Sequence, residues 1–431
     1  MPDEVTAAPL RPQKTGVSLS LWERVPFVWC FVPLWMASIA LQVVLASHLR
    51  GYVGDQMIFV SWMQAVMRWG VAGAYQTASV NYPPVYLLVL GVYGSLMNFF
   101  HISVLPGGLS IKLPGIALDA AAMIAVYVVS KGVRPGWRLF VLALFCLNPA
   151  ILYDTAVWGQ VDILDSLLAV LSIVALKKRP GVAGGLFSLA LLSKFQSIVI
   201  LPVLAAYALQ SLLSFRRYQK TLALALGVML PLAAAGVWLG LQGGLLAMVD
   251  KAYVATTSEY PYLSLNAMNI WYYLFGISPQ TADSTPIFAG LDYKLLGLAL
   301  LALAALYVVY YVLASRVELM QRLLKAGTLI AFAFYMLPTE IHERYILMAV
   351  VFSLLVILFD KKWTLIALGL TLTAFFNLVA VDSFAVNPTS DMWMVYLNLI
   401  LFAAMFALTY REFAVRTKTP PPDGPGGGDG E

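Results

Sequence analysis

The run Pro84–Phe100, P-V-Y-L-L-V-L-G-V-Y-G-S-L-M-N-F-F, decides how this chain is threaded. It sits at the lower limit, about 17 residues, of a helix able to cross a bilayer. The chain around it is 61% hydrophobic and 11% charged, with a mean hydropathy of +0.82. That is the composition of an all-α, polytopic membrane protein. Twenty of its 27 basic residues fall in seven places: the N-terminal tail, Lys131–Arg138, Lys177–Arg179, Arg216–Lys220, Arg316–Lys325, Lys361–Lys362 and Arg411–Lys418. Placing all seven in the cytoplasm obeys the positive-inside rule. Arg50, Arg68, Lys112, Lys194, Lys251, Lys294 and Arg344 then fall outside. The alternation closes only if Pro84–Phe100 lies along, or dips into, the outer leaflet. If it crosses, everything before it inverts.

This reading predicts about 11–13 spans. Their approximate bounds are 26–47, 110–130, 138–152, 162–176, 182–193, 197–213, 221–241, 292–313, 325–338, 345–359, 363–381 and 393–410. Residues 1–25 and 411–431 form cytoplasmic tails, the second Pro/Gly-rich and disordered. Residues 26–410 are one transmembrane domain with outer segments at 48–109 and 242–291. The first 20 residues carry no apolar core, so the first apolar run reads as a span and not as a signal peptide. Cys30 and Cys146 lie inside apolar runs and do not suggest a disulfide. The net charge of +5 is topological and does not point to nucleic acid.

Helices of 12 to 15 residues reach only about 18–22 Å against a hydrocarbon core of about 30 Å. Several spans that short predict a hollow in one face of the bundle. The polar motifs cluster where that hollow should be. Asp55, in G-Y-V-G-D-Q, reads as a general base or as the N-cap of a following amphipathic helix. That helix would gather Met57, Phe59, Val60, Met63 and Met67 on one side. Tyr82 lies in the turn entering Pro84–Phe100, with Pro at the first helical position. Trp158-Gly159-Gln160-Val161-Asp162 joins an aromatic face, an amide and a carboxylate, the equipment of a sugar site. Its plain alternative is a tight turn with Asp162 as N-cap. Lys194 and Gln196 lie at the join of two short helices, where the lysine either snorkels or meets a phosphate. Asp119, deep in a span, reads as half of a buried ion pair with Lys194.

Pro338–Tyr345, P-T-E-I-H-E-R-Y, places His342, Glu343, Arg344 and Tyr345 at a membrane boundary. Arginine's planar fork suits phosphate. There is no H-E-x-x-H zinc signature, no Cys cluster and no serine-hydrolase elbow, so no metal ligands are assigned.

The order N-P-A (Asn148–Ala150), W-G-Q-V-D, S-K-F-Q (Ser193–Gln196), S-L-N-A-M-N-I-W (Ser264–Trp271) and H-E-R-Y resembles the GT-C superfamily of integral-membrane glycosyltransferases. The closest likeness is to its mannosyltransferase-like branch, over about His48 to Phe359. The resemblance implies a GT-C-like fold and a polyprenyl-phosphate-sugar donor. It implies Asp55 as catalytic base, with Arg344, His342 and Lys194 at the donor phosphate. Trp158, Gln160, Asp162, Gln196, Tyr82, Asn266, Asn269, Trp271, Glu343 and Tyr345 are expected around the sugar or the acceptor. A single Asp in the first loop, where the oligosaccharyl branch has paired acids, implies inverting, metal-independent transfer of a hexose, mannose by preference. The acceptor is a glycan, lipid or protein hydroxyl, with membrane lipids as neighbours. A prokaryotic plasma membrane is favoured over endoplasmic reticulum, with the site on the extracytoplasmic side. The competing expectation is a transporter or flippase for a lipid-linked or polar solute. That class calls for polar groups on both sides of a pathway and broken helices at the midplane.

Overall fold

The structure is a computed structural model and describes residues 26–213 and 218–414. The predicted N-terminal tail, and the C-terminal tail beyond residue 414, lie outside the described residues. Residues predicted to open the latter tail instead extend the last helix to Ala414. Helices α1 (Val28–His48), α2 (Val53–Thr77), α3 (Pro84–Phe99), α4 (Leu109–Val129) and α5 (Pro135–Cys146) come first. Then follow α6 (Pro149–Leu152), α7 (Asp162–Ala175), α8 (Pro180–Leu191), α9 (Leu201–Leu213), α10 (Tyr218–Leu241) and α11 (Leu245–Val249). The chain ends with α12 (Tyr293–Ala314), α13 (Leu319–Met336), α14 (Leu347–Val356), α15 (Thr364–Asp382) and α16 (Pro388–Ala414). Among the described residues, eight helical stretches are long and apolar enough to cross a membrane. This is a multi-pass membrane protein.

The expectation of an all-helical chain needs one amendment. The second outer segment contains a small antiparallel pair, β1 (Pro286–Phe288) with β2 (Leu291–Asp292). Ala289 and Gly290 turn the corner at positive φ, 41° and 84°, the backbone that tight hairpins require.

Burial sorts the helices. All ten residues of α14 are buried, and most of α13 is buried with it. A helix apolar all round belongs at the centre of a bundle, and these two form the axis. By contrast α10 buries only Leu224 and Leu239 among its residues. It is held to α8 by glycines. A Cβ on Gly184 would stand 2.2 Å from the Leu224 carbonyl oxygen, and one on Gly227 2.0 Å from that of Gly181. Ser188 Oγ adds a hydrogen bond to the Val228 carbonyl.

Pro84–Phe99 forms a 16-residue helix, about 24 Å long, folded back on α2 across residues 78–83. Its Leu88, Val92, Leu96 and Phe99 point outward. Helix α2 breaks at Gly70, whose φ of 69° and ψ of 174° interrupt the helical backbone. The predicted methionine face of α2 is only partly right. Phe59, Val60 and Met63 are buried together with Gln56, Trp62 and Val66, whereas Met57 and Met67 are exposed. The true inner face follows the 3.6-residue period from Gln56.

Two charge assignments are also corrected. Asp119 Oδ2 accepts from Gln42 Nε2 at 2.8 Å; Lys194 is not its partner, because Asp162 takes it. Lys325, read as a topogenic charge, is fully buried inside α13. Its Nζ pairs with Asp360 at 2.7 Å and Glu412 at 2.5 Å. Lys112 is buried too, donating to carbonyls at the end of α1, where a cation complements the helix dipole.

Candidate functional site

Three pieces of backbone build the site. The first is the end of the α5–α6 region. Asn148 Oδ1 accepts from the backbone N–H groups of Ala150 and Ile151, so N-P-A starts a new helix with Pro at its first position. Beyond α6 the six residues Tyr153–Trp158 widen into a π-helix, closed by Gly159 in the left-handed region at φ 86°. π-turns of this kind concentrate at functional sites. This one turns Trp158 and Gln160 toward the start of α2.

The second piece is that start. Gly51 lies so close to the π-turn that a Cβ would stand 1.9 Å from the Val157 carbonyl oxygen, and its φ is 63°. Gln56 is buried and locks the junction. Its amide donates to the Arg50 and Trp158 carbonyls and accepts from the Gly107 N–H at 2.6 Å. Tyr52 stacks on Trp158 with ring centroids 5.0 Å apart. These contacts place Asp55 in the first turn of α2. Asp55 does not cap the helix; the capping position is Tyr52, with no side-chain bond. Its Oδ2 accepts from Trp158 Nε1 at 2.9 Å and from Gln160 Nε2. Asp55 Oδ1 has no hydrogen-bond partner among the described residues.

The third piece is the segment between α13 and α14. Leu265 N–H donates to the Ile341 carbonyl at 3.0 Å, joining the second outer segment to His342. Arg344 is the hub. Its Nη1 lies 3.0 Å from Glu343 Oε1 and 3.9 Å from Asp55 Oδ2, and its Nε lies 3.8 Å from Asp162 Oδ2. Burial and the nearby Arg344 hold the His342 imidazole below its usual range, so the ring is neutral near pH 7. Burial pushes the Glu343 carboxyl upward, but His342 and Arg344 outweigh it and its pKa ends lowered.

These pieces enclose a cavity of about 910 Å³, within the range of about 300–1,000 Å³ usual for small-molecule sites. Of the predicted site residues, Asp55, Tyr82, Trp158, Gln160, Lys194, Gln196, Asn266, His342, Glu343, Arg344 and Tyr345 line it. Three do not. Asp162 stands behind the wall, its Oδ1 paired with Lys194 and its Oδ2 facing Arg344. It opens α7 without capping it. Asn269 is buried, accepting from the Trp271 N–H at 3.0 Å and donating to the Tyr335 carbonyl. Trp271 Nε1 donates to the Leu337 carbonyl at 2.7 Å. Both brace the loop against the end of α13 rather than meet a ligand.

Of the other lining residues, Glu259, Glu340 and Gln280 were not singled out from the sequence as site members. Glu259 and Glu340 stand with Tyr260, Tyr262 and Gln280 along one side. Glu259 accepts twice from Asn81 Nδ2, at 3.1 and 2.9 Å, which ties the two outer segments together. Glu340 has a φ of 62°, rare for a residue with a side chain, and pairs with Lys294 at 2.6 Å. Burial raises its pKa to about 7 against the opposing Lys294 charge. Among the described residues, no group of three or more His, Cys, Asp or Glu is placed to hold a metal ion.

No protein-family model matches the chain, and no curated protein matches it either. The case for function therefore rests on the residues themselves.

Proposed function

We propose that this protein is a membrane glycosyltransferase of GT-C type, moving a hexose, mannose by preference, from a polyprenyl-phosphate donor to a hydroxyl acceptor. The observation that carries the reading is the state of Asp55. One carboxylate oxygen is held by Trp158 and Gln160 and faces Arg344, while the other is free in a large polar cavity. A base needs that combination: a fixed orientation and one unoccupied oxygen within reach of the proton it takes.

In the reaction, the acceptor oxygen forms a bond to the anomeric carbon as its proton passes to Asp55 Oδ1. The bond from that carbon to the phosphate oxygen breaks, and the electron pair leaves with the polyprenyl phosphate. One in-line displacement inverts the anomeric centre. Arg344 and Lys194 supply positive charge to the leaving phosphate. His342, being neutral, offers it a hydrogen bond instead of a charge. Both cations are already paired with carboxylates, Lys194 with Asp162 and Arg344 with Asp55, Asp162 and Glu343. A phosphate thus competes for cations that are held in place beforehand, which spares reorganisation during the reaction.

The test is transfer from a short-chain polyprenyl-phosphate-mannose by purified protein, beside Asp55→Asn and Arg344→Ala, with and without chelator. Activity lost in both variants and kept in chelator supports metal-independent transfer. No turnover with any phospho-sugar donor, or indifference to both substitutions, returns the transporter reading to first place.

A further inference from the structure

Several helices run between the cavity and the opposite end of the bundle. Helix α4 passes from Lys112, beside Gly159, to Val129. Helix α5 starts at Pro135 and feeds the π-turn that ends at Trp158. Helix α14 leads away from Arg344, and α15 returns to Val381 in the cavity wall. Their far ends bring together two turns, 130–134 and 357–363. Trp137 joins them: its Nε1 donates to the Ile357 carbonyl at 3.0 Å, and Lys361 Nζ lies 4.6 Å from its ring centroid. Lys131, Arg134, Arg138, Lys361 and Lys362 meet there, and sequence alone reads them as charges that set topology. Charge accounting goes further. The carboxylates of this end are spent elsewhere, Glu318 on Lys177, and Asp360 and Glu412 on Lys325. Among the described residues, none of these five cations forms an ion pair.

One of the five is built into the wall. Arg138 is 8% exposed and lies against the rings of Phe27 and Tyr127, 4.0 and 4.4 Å from their centroids. Its Nε donates to Ser130 Oγ at 3.0 Å and its Nη2 to the Tyr127 carbonyl at 2.6 Å. Its Nη1 has no partner among the described residues and, unlike Arg322 Nε, is not sealed from outside. Gly132 and Gly136 leave open space beside the turn, and Lys131, Arg134 and Lys361 stand exposed around it. A fixed guanidinium with a free donor among exposed cations suits a phosphate. An apolar track starts at the same place. Trp137, Phe140, Leu144 and Leu147 follow at helical spacing along one side of α5. Phe140 stacks on Trp137, and Phe140 and Leu147 are well exposed. From Trp137 to Leu147 the helix rises about 15 Å, the hydrocarbon depth of one leaflet. We propose that this end of the bundle holds one anionic phospholipid from the leaflet opposite the cavity. Its phosphate sits among Arg134, Arg138 and Lys361, and an acyl chain follows Phe140 to Leu147.

This lipid site is independent of the reaction in the cavity, and its test reads binding instead of turnover. Delipidated full-length protein in detergent is titrated with phosphatidylglycerol, with phosphatidylcholine of the same chains, and with glycerol phosphate. Native mass spectrometry follows the first molecule bound. Phosphatidylglycerol should be held about tenfold or more tightly than phosphatidylcholine. Arg134→Gln combined with Lys361→Gln should weaken it about 30-fold, since each basic residue near a headgroup contributes about a factor of five. Lys178→Gln combined with Arg179→Gln removes two exposed charges from the α7–α8 turn and should cost less than about threefold. Equal retention of the two lipids by the unaltered chain overturns the proposal, whether or not any variant folds. An equal loss in both double variants also overturns it, because the charges then act through surface potential alone. Glycerol phosphate bound as tightly as the lipid means that the apolar track takes no part, and it removes the lipid as occupant.

Discussion

Two buried cations stand near opposite ends of α13, and their surroundings differ. Lys325, inside the helix, faces Asp360 and Glu412, and all four carboxylate oxygens of that pair accept hydrogen bonds, from Lys325, Lys362, Gln321 and Tyr311. Arg344, past the other end, sits among Asp55, Asp162 and Glu343, yet Asp162 Oδ2 and its own Nε find no hydrogen-bond partner among the described residues. Asp154 Oδ1, Asp165 Oδ1 and Gln160 Oε1 are bare as well. The first cluster is complete and joins α13 to α16. The second is oriented but unfinished, as a site awaiting polar ligands should be. Charge alone does not separate structure from function here; the tally of unused donors and acceptors does.

The largest effect should fall on activity alone. Asp55→Asn is expected to lower transfer by about 10²–10⁴-fold and to leave the melting temperature in detergent nearly unchanged. Lys325→Met should do the opposite. It strands two carboxylates, so stability should fall by about 3–5 kcal/mol, read by thermal unfolding, while transfer per folded molecule is kept. A Lys325→Met protein that melts normally but transfers nothing breaks the comparison. Gly184→Leu, which forces a side chain into the α8–α10 crossing, should cost about 1–3 kcal/mol. Gly236→Ala, with open space at its Cβ position, should show no loss in the same melt. The smallest effect concerns Glu340. Its folded pKa is raised from the ordinary 4.5 to about 7, so the folded state binds the extra proton between those values. Its contribution to stability is therefore present below about pH 4.5 and fades as pH rises through about 7. Glu340→Gln should remove that slope, seen as a flatter melting curve against pH than the parent's.

Much of the fold was legible because hydrophobic length carries it. The helices at Val28–His48, Leu109–Val129, Tyr218–Leu241 and Tyr293–Ala314 fall within a few residues of the spans predicted from apolar runs. The gathering of Asp55, Trp158, Gln160, Lys194 and Arg344 was legible too, since each stood out against an apolar background. Pairing was not. Lys194 could have met Asp119 or Asp162, and only the packing of α7 against α8 decides for Asp162. Asn269 and Trp271 have the composition of a ligand loop, but their polar atoms are spent on carbonyls of a helix distant in sequence. Gln56 gave no signal, because a glutamine in a first turn looks ordinary until both backbones it clasps are in place.

The wide turn Tyr153–Trp158 has a consequence for how this chain can vary. A π-turn holds one more residue than the α-turn it replaces. The alignment of Trp158 and Gln160 with Asp55 is therefore a matter of counting as well as chemistry. Removing one residue from that turn while keeping every polar side chain would swing Trp158 and Gln160 about 100° around the helix axis. At this position the protein is sensitive to length before it is sensitive to identity.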